Sequence, residues 1–146
     1  MSGAIRTVEE AGACGLSGAE ASRMAIANGN QDYWHPFSWR SDTNPHHAMP
    51  DTNYQPIIDR GLQQAVAEPD WIRALAILGA GLHTVQDQWA HARRNPPGTI
   101  RQHDYPTGGI HPDNRWQNPY EWSRAREDTR YYIRDFMKGR GLKPSC

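Results

Sequence analysis

Cysteine, continuous apolar sequence and excess charge of either sign are all scarce in this 146-residue chain. Its two cysteines, Cys14 and Cys146, show no Cys-x-x-Cys spacing, which removes thiolate zinc sites and dithiol redox chemistry from consideration. Two cysteines near opposite ends are a weak disulfide signal, so the expectation is a free buried Cys14 and an exposed Cys146. No window approaches the roughly 18 apolar residues that a membrane span needs. The N-terminal "MSGAIRTVEEAGACG" lacks the basic start and apolar run of a signal peptide. The chain is therefore expected to be soluble. If exported, it should travel within a larger polypeptide or through a specialised secretion system. Sixteen basic residues balance sixteen acidic ones, which leaves no overall field to draw nucleic acid or an anionic membrane.

What is present suits one domain over residues 1–146, long enough for a core but not for two. With 37% apolar residues that core should be small and rest on Trp, Leu, Ile and Tyr. Thirteen Gly and eleven Pro imply long connections between few regular elements. "TVEEAGACG" and "SGAEASRMAIANGN" carry capping-box spacing at Thr7/Glu10 and Ser17/Glu20, with Gly29 as a stop. Residues 30–55 hold three prolines and read as an ordered loop. In "PIIDRGLQQAVAE", Ile57, Ile58, Leu62, Ala65 and Val66 recur at helical intervals despite Gly61.

Pro69 is placed to begin the next helix, where its missing N–H is harmless. Trp71, Leu75, Leu78, Leu82, Val85 and Trp89 then recur at steps of four and three, a core stripe that "RRNPPG" terminates. Residues 96–117 form a second long loop. Asn118, Pro119 and Glu121 open a last helix with Trp122, Ala125, Thr129, Tyr132, Ile133 and Phe136 on its inner face, ending at Gly139. The expected class is all-α: a compact helical domain with a central metal-binding helix and two long ordered loops.

The metal expectation comes from "ALAILGAGLHTVQDQWAHARRN", where His83, Asp87 and His91 recur every four residues beside the core stripe. Side chains at that interval stack on one face and can converge on one ion. A blander reading exists for each: a histidine beside a core satisfied by neighbours, and Asp87 paired with Arg93 or Arg94. Against it stand His35, His46, His47, His103 and His111, all in the two long loops, where they could complete a helix-borne site.

"LGAGLHTVQDQWAHA" resembles the LHxxQDxxAH signature of the zinc-dependent phospholipase C and single-strand nuclease superfamily. "GLSGAEASRMAIANGNQDY" together with it resembles toxin domains at the C-termini of Rhs-type polymorphic toxins. The resemblance covers about residues 10–137 and rests on those two segments. It implies an all-helical fold holding one to three zinc ions, two of them favoured here. It makes His83 and Asp87 helix-borne ligands, with Asp87 able to bridge two ions. Asp32 and His47 match an upstream Asp and His, with His46 the rival, while His91 and His111 would serve a second ion. Two features depart from the pattern. The chain begins Met-Ser-Gly where the superfamily's enzymes place a ligating Trp, and Arg115 stands where an acidic residue would follow His111.

Zinc held by imidazole and carboxylate with one open position lowers the pKa of bound water to near 7 and polarises phosphoryl oxygen. The function expected is a metal-dependent hydrolase, a phospholipase C-type phosphodiesterase acting as an antibacterial or cytotoxic effector on phospholipid or another phosphodiester, with an immunity protein as partner. Asp32 would orient or deprotonate the water, and His103 would protonate the leaving oxygen or support a ligand from behind. Arg93, Arg94 and Arg101 would contact phosphate or merely complement the helix dipole. A nuclease would use the same ions, and "DYWHPFSW" and "RWQNPYEW" could stack bases, but the neutral charge disfavours nucleic acid. A zinc-stabilised, non-catalytic module of a larger secreted protein is the third reading.

Overall fold

Among the described residues of the computed structural model there are five helices, in the order α1 (Ser2–Cys14), α2 (Gly18–Tyr33), α3 (Gln55–Ala67), α4 (Trp71–Ala90) and α5 (Pro119–Gly139), and the class is all-α. It describes residues 2–33, 48, 53–90, 92–93 and 119–146, the side chains of residues 2–4, 32 and 33 excepted. Most of the residues expected to form the two long loops, 30–55 and 96–117, therefore lies outside the described residues.

Local chemistry accounts for the ends of the helices. At the end of α1, Gly15 takes φ 103°. Its N–H bonds the Gly12 carbonyl while Leu16 N–H bonds Ala11, the pairing of a Schellman turn. The Ser17/Glu20 capping box forms as read: Ser17 N–H donates to Glu20 Oε2 at 2.7 Å and Glu20 N–H to Ser17 Oγ at 3.2 Å. Its depressed Glu20 pKa follows first from that Ser17 backbone hydrogen bond. The α4 cap is Asp70, whose Oδ1 accepts Arg73 N–H at 2.8 Å, rather than the expected Pro69 start. Two further expectations fail. Thr7 and Glu10 lie inside α1, fully enclosed, because α1 begins at Ser2. Gly29 does not stop α2, which runs on to Tyr33, so residues 30–33 are helical rather than loop.

Packing places α4 at the centre. Its apolar first half, with Leu75, Leu78 and Leu82 fully buried, meets Met24 of α2, Ile58 and Ala65 of α3, and Ile133 and Phe136 of α5. Trp71 stacks on Phe136 with ring centroids 5.6 Å apart. Close approach of α3 and α4 is possible because Gly61 and Gly81 face each other, and the Tyr132 hydroxyl fills the crossing by donating to the Ile58 carbonyl at 2.8 Å. Burial raises the Tyr132 pKa far above the phenol range, so the phenol stays a donor. Glu10, 1% exposed, accepts from Arg126 Nε at 2.8 Å and Arg130 Nε at 2.7 Å, joining α1 to α5 and raising the Arg130 pKa.

Cys14 and Cys146 form a disulfide, which corrects the free-thiol expectation. The tail after α5 turns at Gly141, φ 75°, and docks on α1. Ser145 N–H donates to the Cys14 carbonyl at 3.0 Å and Ser145 Oγ to the Ala13 carbonyl at 3.0 Å. Arg140 meanwhile caps α3 by donating to the carbonyls of Val66 and Glu68. That docking is a tertiary event with no counterpart in cysteine spacing.

Candidate functional site

From Gly81 to Ala90 every residue of α4 is buried, yet the chemistry of this half is polar: His83, Thr84, Gln86, Asp87 and Gln88. A buried polar group costs about 1–3 kcal/mol when left without a partner, so their partners decide whether this half can exist.

They come from three neighbouring helices and from Ala48, between α2 and α3. The α2 helix runs parallel to α4 and very close to it, since a Cβ on Gly79 would strike the Met24 carbonyl and the Ala27 methyl. One turn further along both helices Asn28 meets His83, with Oδ1 3.2 Å from Nδ1. Asn28 Nδ2 also donates to Gln86 Oε1 at 3.0 Å and Thr7 Oγ1 at 3.2 Å. Gln86 Nε2 donates to Thr7 Oγ1 at 3.1 Å and Thr129 Oγ1 at 3.0 Å, which brings α1 and α5 into the same cluster. Asp87, 6% exposed, accepts the backbone N–H of Ala48 at 2.8 Å through Oδ2. On the other flank Trp89 Nε1 donates to Asp128 Oδ2 at 2.7 Å.

Of the sequence-predicted residues, His83 and Asp87 thus stand on successive turns at the enclosed, polar end of α4. Asp32 lies in α2, four residues beyond Asn28, as Asp87 lies four beyond His83. Its side chain falls outside the described residues, as do His91, His47, His46, His35, His103 and His111. Among the described residues no group of three or more potential ligands is arranged to hold a metal. The guanidiniums of Arg93 and Arg124 lie 5.4 Å and 5.2 Å from the Trp89 ring, while Arg94 and Arg101 are outside the described residues. Of the aromatics considered for base stacking, Trp122 lies under Arg6, 4.2 Å from its guanidinium, and Tyr120, 65% exposed, meets Trp89 edge-on.

Sequence reading missed Asn28, Thr7, Gln86 and Thr129. One signal was available: Thr129 falls on the inner stripe of α5, and a hydroxyl there needs a polar partner across the core. No helix of the described residues is long and apolar enough to cross a membrane. No family model, curated protein or solved structure matches the chain.

Proposed function

We propose that the polar end of α4 is the floor of a metal-dependent phosphodiester hydrolase site, of phospholipase C type. The observation that carries the reading is the pairing of His83 and Asp87 on successive turns of a completely buried helix end, each held by a partner from another segment. An imidazole and a carboxylate are donors that suit zinc. The resemblance of this same stretch to zinc-dependent phospholipases C points the same way. Ala48, the residue after His47 in sequence, touches Asp87, which supports the first loop as the source of a further ligand.

A bound zinc would supply an acidified water and polarise a phosphoryl oxygen. In this reading His83 and Asp87, with Asp32, His47, His91 and His111, hold the metal. Asp32 also orients the water and His103 protonates the leaving oxygen. Buried as they are, the helix-borne groups keep fixed positions and a low surrounding dielectric. The Cys14–Cys146 disulfide supports an exported protein, because such bonds persist in oxidising compartments, and with it the reading as a toxin-type effector.

Elemental analysis of the purified protein, beside assays on phospholipid vesicles, single-stranded DNA and a chromogenic phosphodiester, tests this. Stoichiometric zinc with lipid turnover is the expected result. DNA cleavage without lipid turnover reassigns the site to a nuclease, zinc without any turnover makes it a structural module, and absence of both metal and activity overturns the reading.

A further inference from the structure

The hydrogen bonds around His83 have a direction that can be traced from a fixed point. Thr129 Oγ1 lies 2.7 Å from the Ala125 carbonyl one turn earlier in α5. A carbonyl only accepts, so the hydroxyl donates and its oxygen is left to accept. The group it accepts from must then be the Gln86 amide nitrogen, which sets the Gln86 amide with Oε1 toward Asn28. Gln86 Oε1 accepts in turn from Asn28 Nδ2, and this sets Asn28 Oδ1 toward His83. An amide oxygen cannot donate, so the proton between Asn28 and His83 belongs to Nδ1.

The reversed arrangement fails at two places. With both amides flipped, Thr129 Oγ1 would have to donate to Gln86 and could no longer donate to Ala125, leaving two acceptors 2.7 Å apart. Thr7 Oγ1 would also face two amide oxygens with one proton to share. In the forward arrangement each amide nitrogen uses both of its hydrogens, and Thr7 accepts one from each.

We propose that Thr129, Gln86 and Asn28 are positioning residues that hold the His83 proton on Nδ1 and so present Nε2 as the donor to a divalent transition metal. The inference rests on the metal-dependent reading above and adds to it a reason for three buried polar residues that the reaction itself does not use. A histidine that ligates metal through one nitrogen donates its other N–H to an oxygen, which fixes both tautomer and ring orientation. Here that oxygen belongs to a neutral amide, so the tautomer is set without placing a second negative charge beside Asp87. The amide's own orientation is fixed in turn by a backbone carbonyl on a different helix, three links away.

Long-range ¹H–¹⁵N correlation spectra of the full-length, chelator-treated protein at mildly alkaline pH read the tautomer directly, and zinc titration reads its consequence. The expected wild-type result is a protonated Nδ1 and an unprotonated Nε2 at His83. Asn28→Leu should populate the other tautomer and weaken zinc binding by about 10- to 100-fold. Thr129→Val should move both readouts in the same direction, and Thr129→Ser, which keeps the hydroxyl, should restore them. An unprotonated Nδ1 in the wild-type protein overturns the relay without reference to any variant. The expected tautomer in a protein that takes up no zinc overturns the metal site, and with it the purpose assigned to these residues. Unchanged zinc affinity in a folded Asn28→Leu also removes the positioning role.

Discussion

The indole N–H of Trp71 donates to Glu20 Oε1 at 3.0 Å, so the glutamate that caps α2 also anchors the first turn of α4. Its other oxygen accepts the Ser17 N–H. These bonds favour the ionised form and hold the Glu20 pKa below its ordinary value of 4.5, the Ser17 backbone hydrogen bond contributing most. A depressed carboxylate contributes stability above its unfolded pKa and loses it as pH falls through the folded one. Glu20→Gln should cost about 0.3–1 kcal/mol near neutrality. The gap between the two proteins should close in acid. Denaturant unfolding over a pH series measures it, and a gap that stays constant into strong acid contradicts the assignment.

Opening the Cys14–Cys146 bond should be among the most damaging changes available. The bond closes a loop across a sequence separation of 132, which chain-entropy arguments value at about 5 kcal/mol. Cys14→Ser with Cys146→Ser, or the wild-type protein under reductant, should melt well below the oxidised protein. Equal melting temperatures with and without reductant would show that the bond is absent in solution.

Two glycines of α2 and α4 should respond in opposite directions to alanine. Around Gly29 a Cβ meets nothing within 4 Å, so Gly29→Ala should stabilise α2 by up to about 1 kcal/mol through helix propensity. Gly79→Ala pushes against the Met24 backbone, which cannot step aside, and should cost about 1–3 kcal/mol. Because the same crossing sets the Asn28–His83 distance, the second variant should also bind zinc more weakly than the first. Thermal melts and zinc titration of the pair read both effects.

Asp87→Asn keeps the side-chain shape and an oxygen for the Ala48 N–H but removes the charge that would balance a metal. It should fold with a melting temperature close to that of chelated wild type, yet retain little zinc and lose activity by more than about 100-fold, beyond the loss typical of supporting residues. Retained zinc and turnover would return Asp87 to a structural role. Chelator should lower the wild-type melting temperature and added zinc restore it.

Periodicity made α3, α4 and α5 legible because their apolar residues recur on one face of a helix, and the Ser17/Glu20 box marked the start of α2. Thr7/Glu10 has identical spacing and means something else. Its residues lie in mid-helix and face other chain segments, Thr7 toward Asn28 and Gln86, Glu10 toward Arg126 and Arg130. A local pattern cannot distinguish the two, since the difference is made by what packs against α1. The same holds at the site. His83 and Asp87 were visible as a polar stripe beside the core seam. That stripe proves to be only part of an all-round buried polar half, two of whose other members, Gln86 and Gln88, look on a helical wheel like solvent-facing residues. Cys14 and Cys146 were unreadable for a like reason, because a tail folded back over α1 brings them together.

The clasp between α1 and the C-terminal tail also determines how the molecule would bear a mechanical load. A pull from the N-terminal side can strip α1 only as far as Cys14. Beyond that point the force passes through the sulfur–sulfur bond to Cys146 and bypasses α2 to α5, which remain slack inside a closed covalent ring. A motor that threads chains singly through a narrow pore would therefore stall at this bond until a reductant opened it.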